Sequence, residues 1–282
     1  MSTQIKEREP LLMCVTGKKG VGKTYQTLHL IDNYVKDDLT TGQIGRKVLI
    51  FDTNGEYTDE SIVRCGLNFS IKKIALKDVA AYSKMKKVEV RRVNGATMDL
   101  NQKIEALSII MDTFRGGLLV IEDINSYLLS VTHQAKILGI ICTVRHRDLD
   151  VIAHFQSLKP LEPRMWQNTN VIRFHKQSDG INDSAYRNKI PNFELMAIAA
   201  NIVDNQFKAG NQRFFLYVYL SDDYLTGEFT NKEFETAARD YFLQNPSKVK
   251  NELLKQRLKK GQEEVAIKSL IKDIYTYNGN AR

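Results

Sequence analysis

The run Gly17-Lys18-Lys19-Gly20-Val21-Gly22-Lys23-Thr24 constrains this chain more than any other stretch of it. An apolar segment, 11–15, precedes it, and Leu28, Ile31, Tyr34 and Val35 follow at helical spacing. Strand, glycine loop and helix form the context in which a G-x-x-x-x-G-K-[ST] run cradles phosphate instead of merely turning the chain. The loop's N–H groups converge on the phosphate oxygens, and the helix adds the positive end of its dipole. The expected nucleotide-binding residues are therefore Gly17, Lys18, Lys19, Gly20, Val21, Gly22, Lys23, Thr24 and the adjoining Tyr25. Lys23 is expected at the β- and γ-phosphates, and the Thr24 hydroxyl in the oxygen shell of a magnesium ion. ATP and Mg²⁺ are the expected cofactors.

At 282 residues the chain has room for one large α/β domain with an appendage. No apolar run approaches the ~20 residues a membrane helix needs, so no integral membrane segment is expected. The first nine residues are charged and lack the apolar core of a secretory signal. Cys14, Cys65 and Cys142 share no C-x-x-C spacing, which argues against a disulfide framework or a zinc site and for a reducing, cytoplasmic setting. The net charge is +8, and 246–282 holds nine Lys and Arg against four Asp and Glu, so five of the excess positive charges sit in the tail. A near-neutral body with a basic tail suits an acidic partner such as nucleic acid.

Along the chain, the apolar stretch 47–51 reads as a strand ending at Asp52-Thr53-Asn54-Gly55-Glu56-Tyr57. Asp52 is expected beside the first strand's C-terminal end, where ligands sit in open α/β sheets, and is a candidate for the metal site. A short helix is expected over 78–86 and a strand over 88–93, with Arg91 and Arg92 near its end. Ile104, Leu107, Ile110 and Met111 place a helix over 99–114, which Gly116-Gly117 breaks. The buried strand 118–121 then ends in Glu122-Asp123. Four apolar residues followed by two carboxylates form the Walker B pattern, in which one acid serves the metal and the other the attacking water. The usual order is Asp then Glu; here it is inverted. By position Glu122 is the metal-side acid and Asp123 the water-activating one, and the order leaves that division open.

A long helix over 126–147 is expected next, then a strand over 151–155 ending in Gln156, which is well placed to sense the γ-phosphate. A short helix over 161–166, a strand over 170–174, a helix over 193–207 and an aromatic-rich strand over 213–220 follow. Strands alternating with helices predict a largely parallel sheet covered by helices. From Asn231 the pattern turns helical and charged, with Pro246 as a break and 248–277 as one charged helical stretch. The expected division is an ATPase domain over 1–230 and a helical, basic extension over 231–282.

Walker A, the Asp52–Tyr57 turn, the acid pair and the stretches Arg145-His146-Arg147 and His154-Phe155-Gln156-Ser157 together resemble the FtsK–HerA class of P-loop ATPases. That class includes DNA pumps, viral genome-packaging ATPases and the Zot-like proteins of filamentous phages. Asp52, Gly55 and Glu56 match its Asp-x-x-Gly-Glu turn, Gln156 matches its sensor, and the likeness spans 11–174. The chain departs from it in the inverted acid pair and in Ser157-Leu158, where the class often has Arg-Pro. The resemblance implies a RecA-like core and a homo-oligomeric ring, usually a hexamer, that moves DNA, each site completed by a neighbour's arginine. Arg91, Arg92, Arg145 and Arg147 are the candidates for that arginine, the first two favoured. It also implies a virion or portal-like docking protein, and the host cytoplasm or the virion as the place of action.

Two other readings stand beside a packaging or DNA-transfer motor. One is a nucleotide-switched partitioning ATPase of the ParA/MinD type, since Lys18 stands where that family's signature lysine does. Lys19 in place of a glycine and the Glu122–Asp123–Gln156 set are foreign to it. The other is a Zot-like phage assembly ATPase.

Overall fold

The computed structural model of the protein describes residues 10–38, 40, 42–126, 148–159, 161, 163–181 and 189–277. The chain divides into two compact units: one takes the stretch up to Val15 and then Gly22–Thr169, the other Thr16–Val21 and everything from Asn170 on.

The first unit is built on β1 (Leu12–Thr16, whose last residue opens the second unit), β2 (Lys47–Asp52), β3 (Ile71–Lys73), β4 (Val90–Asn94), β5 (Gly117–Ile121) and β6 (Leu149–Phe155). Their order is β3-β4-β2-β5-β6-β1, and the pairs β3–β4, β4–β2, β2–β5 and β5–β6 are parallel. Val48–Phe51, Leu118–Ile121 and Val151–Ala153 are all buried, the unbroken apolar runs of strands covered on both faces. The connecting helices are α1 (Lys23–Tyr34), α2 (Asp59–Arg64), α3 (Val79–Lys84), α4 (Leu100–Thr113) and α5 (Pro163–Asn168). In α4 the expected face, Ile104, Leu107, Ile110 and Met111, is the buried one, and Asp99 with Gln102 closes a capping box at its start. The sequence expectation that β2 stands beside β1 is corrected: β5 and β6 lie between them, because successive crossovers carried the chain outward before it returned. Neither α2 nor β3 was anticipated. Each is too short to show a period, and α2 is held instead by its ends, with Thr58 accepting from Ser61 N, Asp59 and Glu60 in the first turn and Arg64 in the last.

The second unit contains β7 (Val171–His175), α6 (Phe193–Lys208), β8 (Phe215–Tyr219), β9 (Tyr224–Gly227), α7 (Asn231–Leu243), α8 (Pro246–Lys255) and α9 (Glu263–Tyr277). Here the pairs β7–β8 and β8–β9 are antiparallel, while the largely parallel pairing expected is that of the first unit. The unanticipated β9 follows a tight turn in which Asp223 takes φ 51, a conformation Asp tolerates better than most residues. Leu195, Met196, Ile198, Ala199 and Ile202 of α6 are buried; the helix packs on β7, β8 and β9 and against α7, whose Ala237, Ala238, Tyr241 and Phe242 are buried too. The charged helical stretch expected over 248–277 holds two helices, separated where Arg257 (φ 56) and Gly261 (φ 97) take left-handed conformations. Residue 230, the expected boundary, lies between β9 and α7 inside this second unit. The long helix expected over 126–147 lies outside the described residues beyond its first residue, Ser126, which closes a 3₁₀ turn (Ile124–Ser126).

Candidate nucleotide site

In the first unit, parallel register sets Phe51 of β2 abreast of Ile121 of β5, and Ile121 abreast of Ala153 of β6. One residue further along, Asp52, Glu122 and His154 therefore stand side by side at the C-terminal edge of the sheet. All three are buried, the last two 3% and 1% exposed. Glu122 N also donates to Phe51 O, which ties the acid's backbone to β2.

The Asp52–Tyr57 turn is organised by its first residue. Asp52 Oδ1 accepts from Gly55 N and Glu56 N, its Oδ2 accepts from Tyr57 N, and Arg92 Nη1 lies 2.8 Å from the same Oδ2. The wound turn sends Tyr57 Oη to Glu122 Oε1 at 2.8 Å and brings Glu56 Oε2 within 2.5 Å of the Thr24 hydroxyl. That hydroxyl is also 3.5 Å from Glu122 Oε1. Thr24, in the first turn of α1, thus faces two carboxylates supplied by two different strand ends.

Behind this group, His154 Nδ1 lies 2.9 Å from Glu122 Oε1, and His154 Nε2 lies 2.8 Å from Thr27 Oγ1, one turn along α1 from Thr24. Burial pushes the Glu122 carboxyl up. The charge and contact of His154, the Tyr57 hydroxyl and the Lys23 ammonium outweigh that and hold it below the ordinary carboxylate range. Glu122 is an ionised carboxylate in the interior, at a position that is costly without such partners.

Asp123 is half-buried and takes φ 45, a left-handed conformation that Asp tolerates better than most residues, with Ser126 N and Oγ donating to its carbonyl. Gln156 Nε2 donates to Asp123 Oδ1 at 3.1 Å, so the residue expected to sense the γ-phosphate meets the acid expected on the water side. Gly22, at φ 87, caps the start of α1 and hands over to Lys23. Tyr25, in the first turn of α1, packs its ring against His29 with centroids 4.6 Å apart.

The front of the loop belongs to the second unit. Gly17 (φ 151) runs so close to β7 that a Cβ on it would lie 2.7 Å from His175 Cβ. Lys18 N donates to Lys176 O at 2.8 Å, and Lys18 Nζ sits 4.2 Å above the Phe207 ring. Gly20 has φ 84; Lys19 and Gly20 are exposed, and Val21 is buried.

Three residues with expected site roles have partners within the chain. Asp52 was expected in the metal shell, but both its oxygens are engaged in shaping its own turn and pairing with Arg92. Arg92 was expected to serve a neighbour, and its guanidinium is committed to that pair. Arg91, the other favoured candidate, is held by Glu89 at 3.0 Å and lies over the Tyr82 ring at 4.5 Å. Arg145 and Arg147 lie outside the described residues. Glu56, Tyr57, His154 and Thr27 were not anticipated as site residues. Only Glu56 left a local trace, as part of the turn motif; the rest depend on register. The oxygen-only set of Thr24, Glu56 and Glu122 fits a hard divalent cation.

The strand order sets β6, which carries His154, between β1, which leads into the glycine loop, and β5, which leads into the acid pair. An α/β core so arranged, with a glycine loop of this pattern entering α1, is a P-loop fold. No protein-family profile matches the chain, and no curated protein sequence does. Among solved structures it is similar to the genome-packaging NTPase B204 of Sulfolobus turreted icosahedral virus 2 in complex with sulfate. There the identity is 18%, the coverage 77% of this chain and 94% of that one, and the TM-score 0.48. It is similar also to B204 described as the DNA-packaging ATPase of Sulfolobus turreted icosahedral virus, at 16% identity, 77% and 97% coverage and a TM-score of 0.46. The N-terminal domain of zonular occludens toxin from Neisseria meningitidis matches at 14% identity, 59% and 76% coverage and a TM-score of 0.33.

Proposed function

We propose that this protein is an ATP-hydrolysing motor that moves DNA, of the genome-packaging or DNA-transfer kind, acting as a homo-oligomeric ring. The observation that carries the reading is the meeting of Thr24 with Glu56 and Glu122 beside the Gln156–Asp123 pair. In this reading Gly17–Lys23 cradles the triphosphate, with Lys23 neutralising the β- and γ-phosphates. Thr24 and Glu122 would hold the Mg²⁺ shell, with Glu56 bonded to the Thr24 hydroxyl. Bound Mg²⁺ would supply charge neutralisation on the phosphates. Asp123 orients and deprotonates the attacking water, and Gln156 links it to the γ-phosphate. Asp52 and Arg92 set the turn that delivers Glu56 and Tyr57. The motif resemblance to FtsK–HerA ATPases and the basic 246–282 segment support DNA as the substrate.

The test is ATP turnover by the full-length protein with and without duplex or single-stranded DNA, together with its mass in solution with ATP. Wild type is expected to be stimulated by DNA and to form a ring-sized assembly. Glu122→Gln should lower kcat by about a hundredfold or more while ATP still binds. Turnover indifferent to DNA would move the reading to a phage assembly ATPase. Full turnover by Glu122→Gln would refute the acid's role.

A further inference from the structure

We propose that His154 is a positioning residue that holds the Glu122 carboxylate in place for catalysis, with Thr27 setting the orientation of the imidazole. The inference rests on reading Glu122 as an acid of a nucleotide-hydrolysing site. His154 lies in the most apolar part of β6, between Ala153 and Phe155, and is 1% exposed; Thr27 is wholly buried. Its two ring nitrogens have distinct neighbours. Nε2 is 2.8 Å from Thr27 Oγ1, and Nδ1 is 2.9 Å from Glu122 Oε1. A Thr27 hydroxyl donating to Nε2 leaves a proton on Nδ1, the nitrogen that lies 2.9 Å from the carboxylate oxygen.

Glu122 Oε1 thus has two groups fixed on it, the Tyr57 hydroxyl at 2.8 Å and the His154 ring. They come from different elements, the turn after β2 and the interior of β6, and together they oppose rotation of the side chain about its own bonds. Thr24 and Thr27 are three residues apart and so share a face of α1. Thr24 approaches the carboxylate directly at 3.5 Å, and Thr27 reaches it through the imidazole. The helix that follows the glycine loop is thereby connected to the acid after β5 at two successive turns. Such outer partners are where orientation of a metal-shell acid is won or lost.

The experiment compares full-length wild type with His154→Leu, His154→Asn and Thr27→Val. It reads kcat and KM for ATP, and ATP affinity with and without Mg²⁺. His154→Leu is expected to lose about thirtyfold in kcat with KM within about threefold of wild type. It should keep its Mg²⁺-free ATP affinity and lose most of the gain that Mg²⁺ confers. The Asn amide nitrogen stands near the Nδ1 position, so His154→Asn should recover about a third or more of wild-type kcat. Thr27→Val, nearly isosteric, should lose about three- to tenfold in kcat. A His154→Leu protein with wild-type kcat overturns the proposal. So does loss of Mg²⁺-free ATP affinity in both His154 variants with no rescue by Asn, which marks a packing role. If His154→Leu does not fold, Thr27→Val decides, and an unchanged kcat there is fatal. A wild type without turnover refutes the motor reading instead, while the Mg²⁺-dependent affinities still test the position of the carboxylate.

Discussion

At the scale of single residues, the site is built by groups whose partners are far away in sequence. Glu122 becomes an ionised interior acid because Tyr57, 65 positions earlier, and His154, 32 positions later, close on one of its oxygens. Gly17 is the residue with least freedom. It combines φ 151 with a Cβ position 2.7 Å from His175 Cβ and 3.3 Å from Lys176 O. Gly17→Ala must therefore displace the loop from β7 and disturb the bond between Lys18 N and Lys176 O. Strain of about 1–3 kcal/mol corresponds to roughly a 5- to 150-fold loss of ATP affinity, which titration calorimetry reads directly. Wild-type affinity in that variant would mean that the loop adapts freely.

At the scale of elements, the edge formed by β3 and β4 is held by an ion cluster. Lys72, Lys87 and Arg91 lie 2.9, 2.7 and 3.0 Å from Glu89. Contacts with Lys87, then Lys72, then Arg91 bring the Glu89 carboxyl down to about 2. Because the folded value lies below the unfolded one, the stability this group contributes is present above the ordinary value of 4.5 and fades as pH falls toward 2. Lys72 and Lys87 are more than half exposed, so each pair contributes modestly. Glu89→Gln should lower Tm at pH 7 by about 1–3 °C, and the difference from wild type should shrink as the pH is taken below 4.5. A Tm difference independent of pH would remove the cluster's role. Elements with a full period of apolar residues, such as α4 and β5, were legible in the sequence within a residue or two. Those shaped by their ends or by pairing, such as α2, β3 and β9, were not.

At the scale of the whole molecule, the division of the chain follows packing, not composition. The basic segment from Pro246 reads as an appendage by its charge, yet Val249, Ala266 and Ile267 are buried and α8 and α9 contact α7. Full burial of a Val or Ile side chain contributes about 1.5–3 kcal/mol. Removing 246–282 is therefore expected to lower Tm by about 5 °C or more, or to leave the protein insoluble. A truncated protein with the wild-type Tm would make the segment a separable arm. Among the described residues no helix is long and apolar enough to cross a membrane.

The sequence by itself determined the glycine loop, the apolar strands that cross the core, and the acids that end β5. These features are local: loop chemistry needs consecutive residues, and a buried strand needs only a continuous apolar run. Tertiary structure alone decided which distant groups those acids meet. The order β2-β5-β6-β1 and its register brought His154 beside Glu122, and the folded turn made Asp52 its organiser. It also committed Arg91 and Arg92 to acids of their own chain. A histidine among apolar residues looks like core until the neighbouring strand is known, because pairing across a sheet depends on the spatial order of strands, which a linear pattern does not contain.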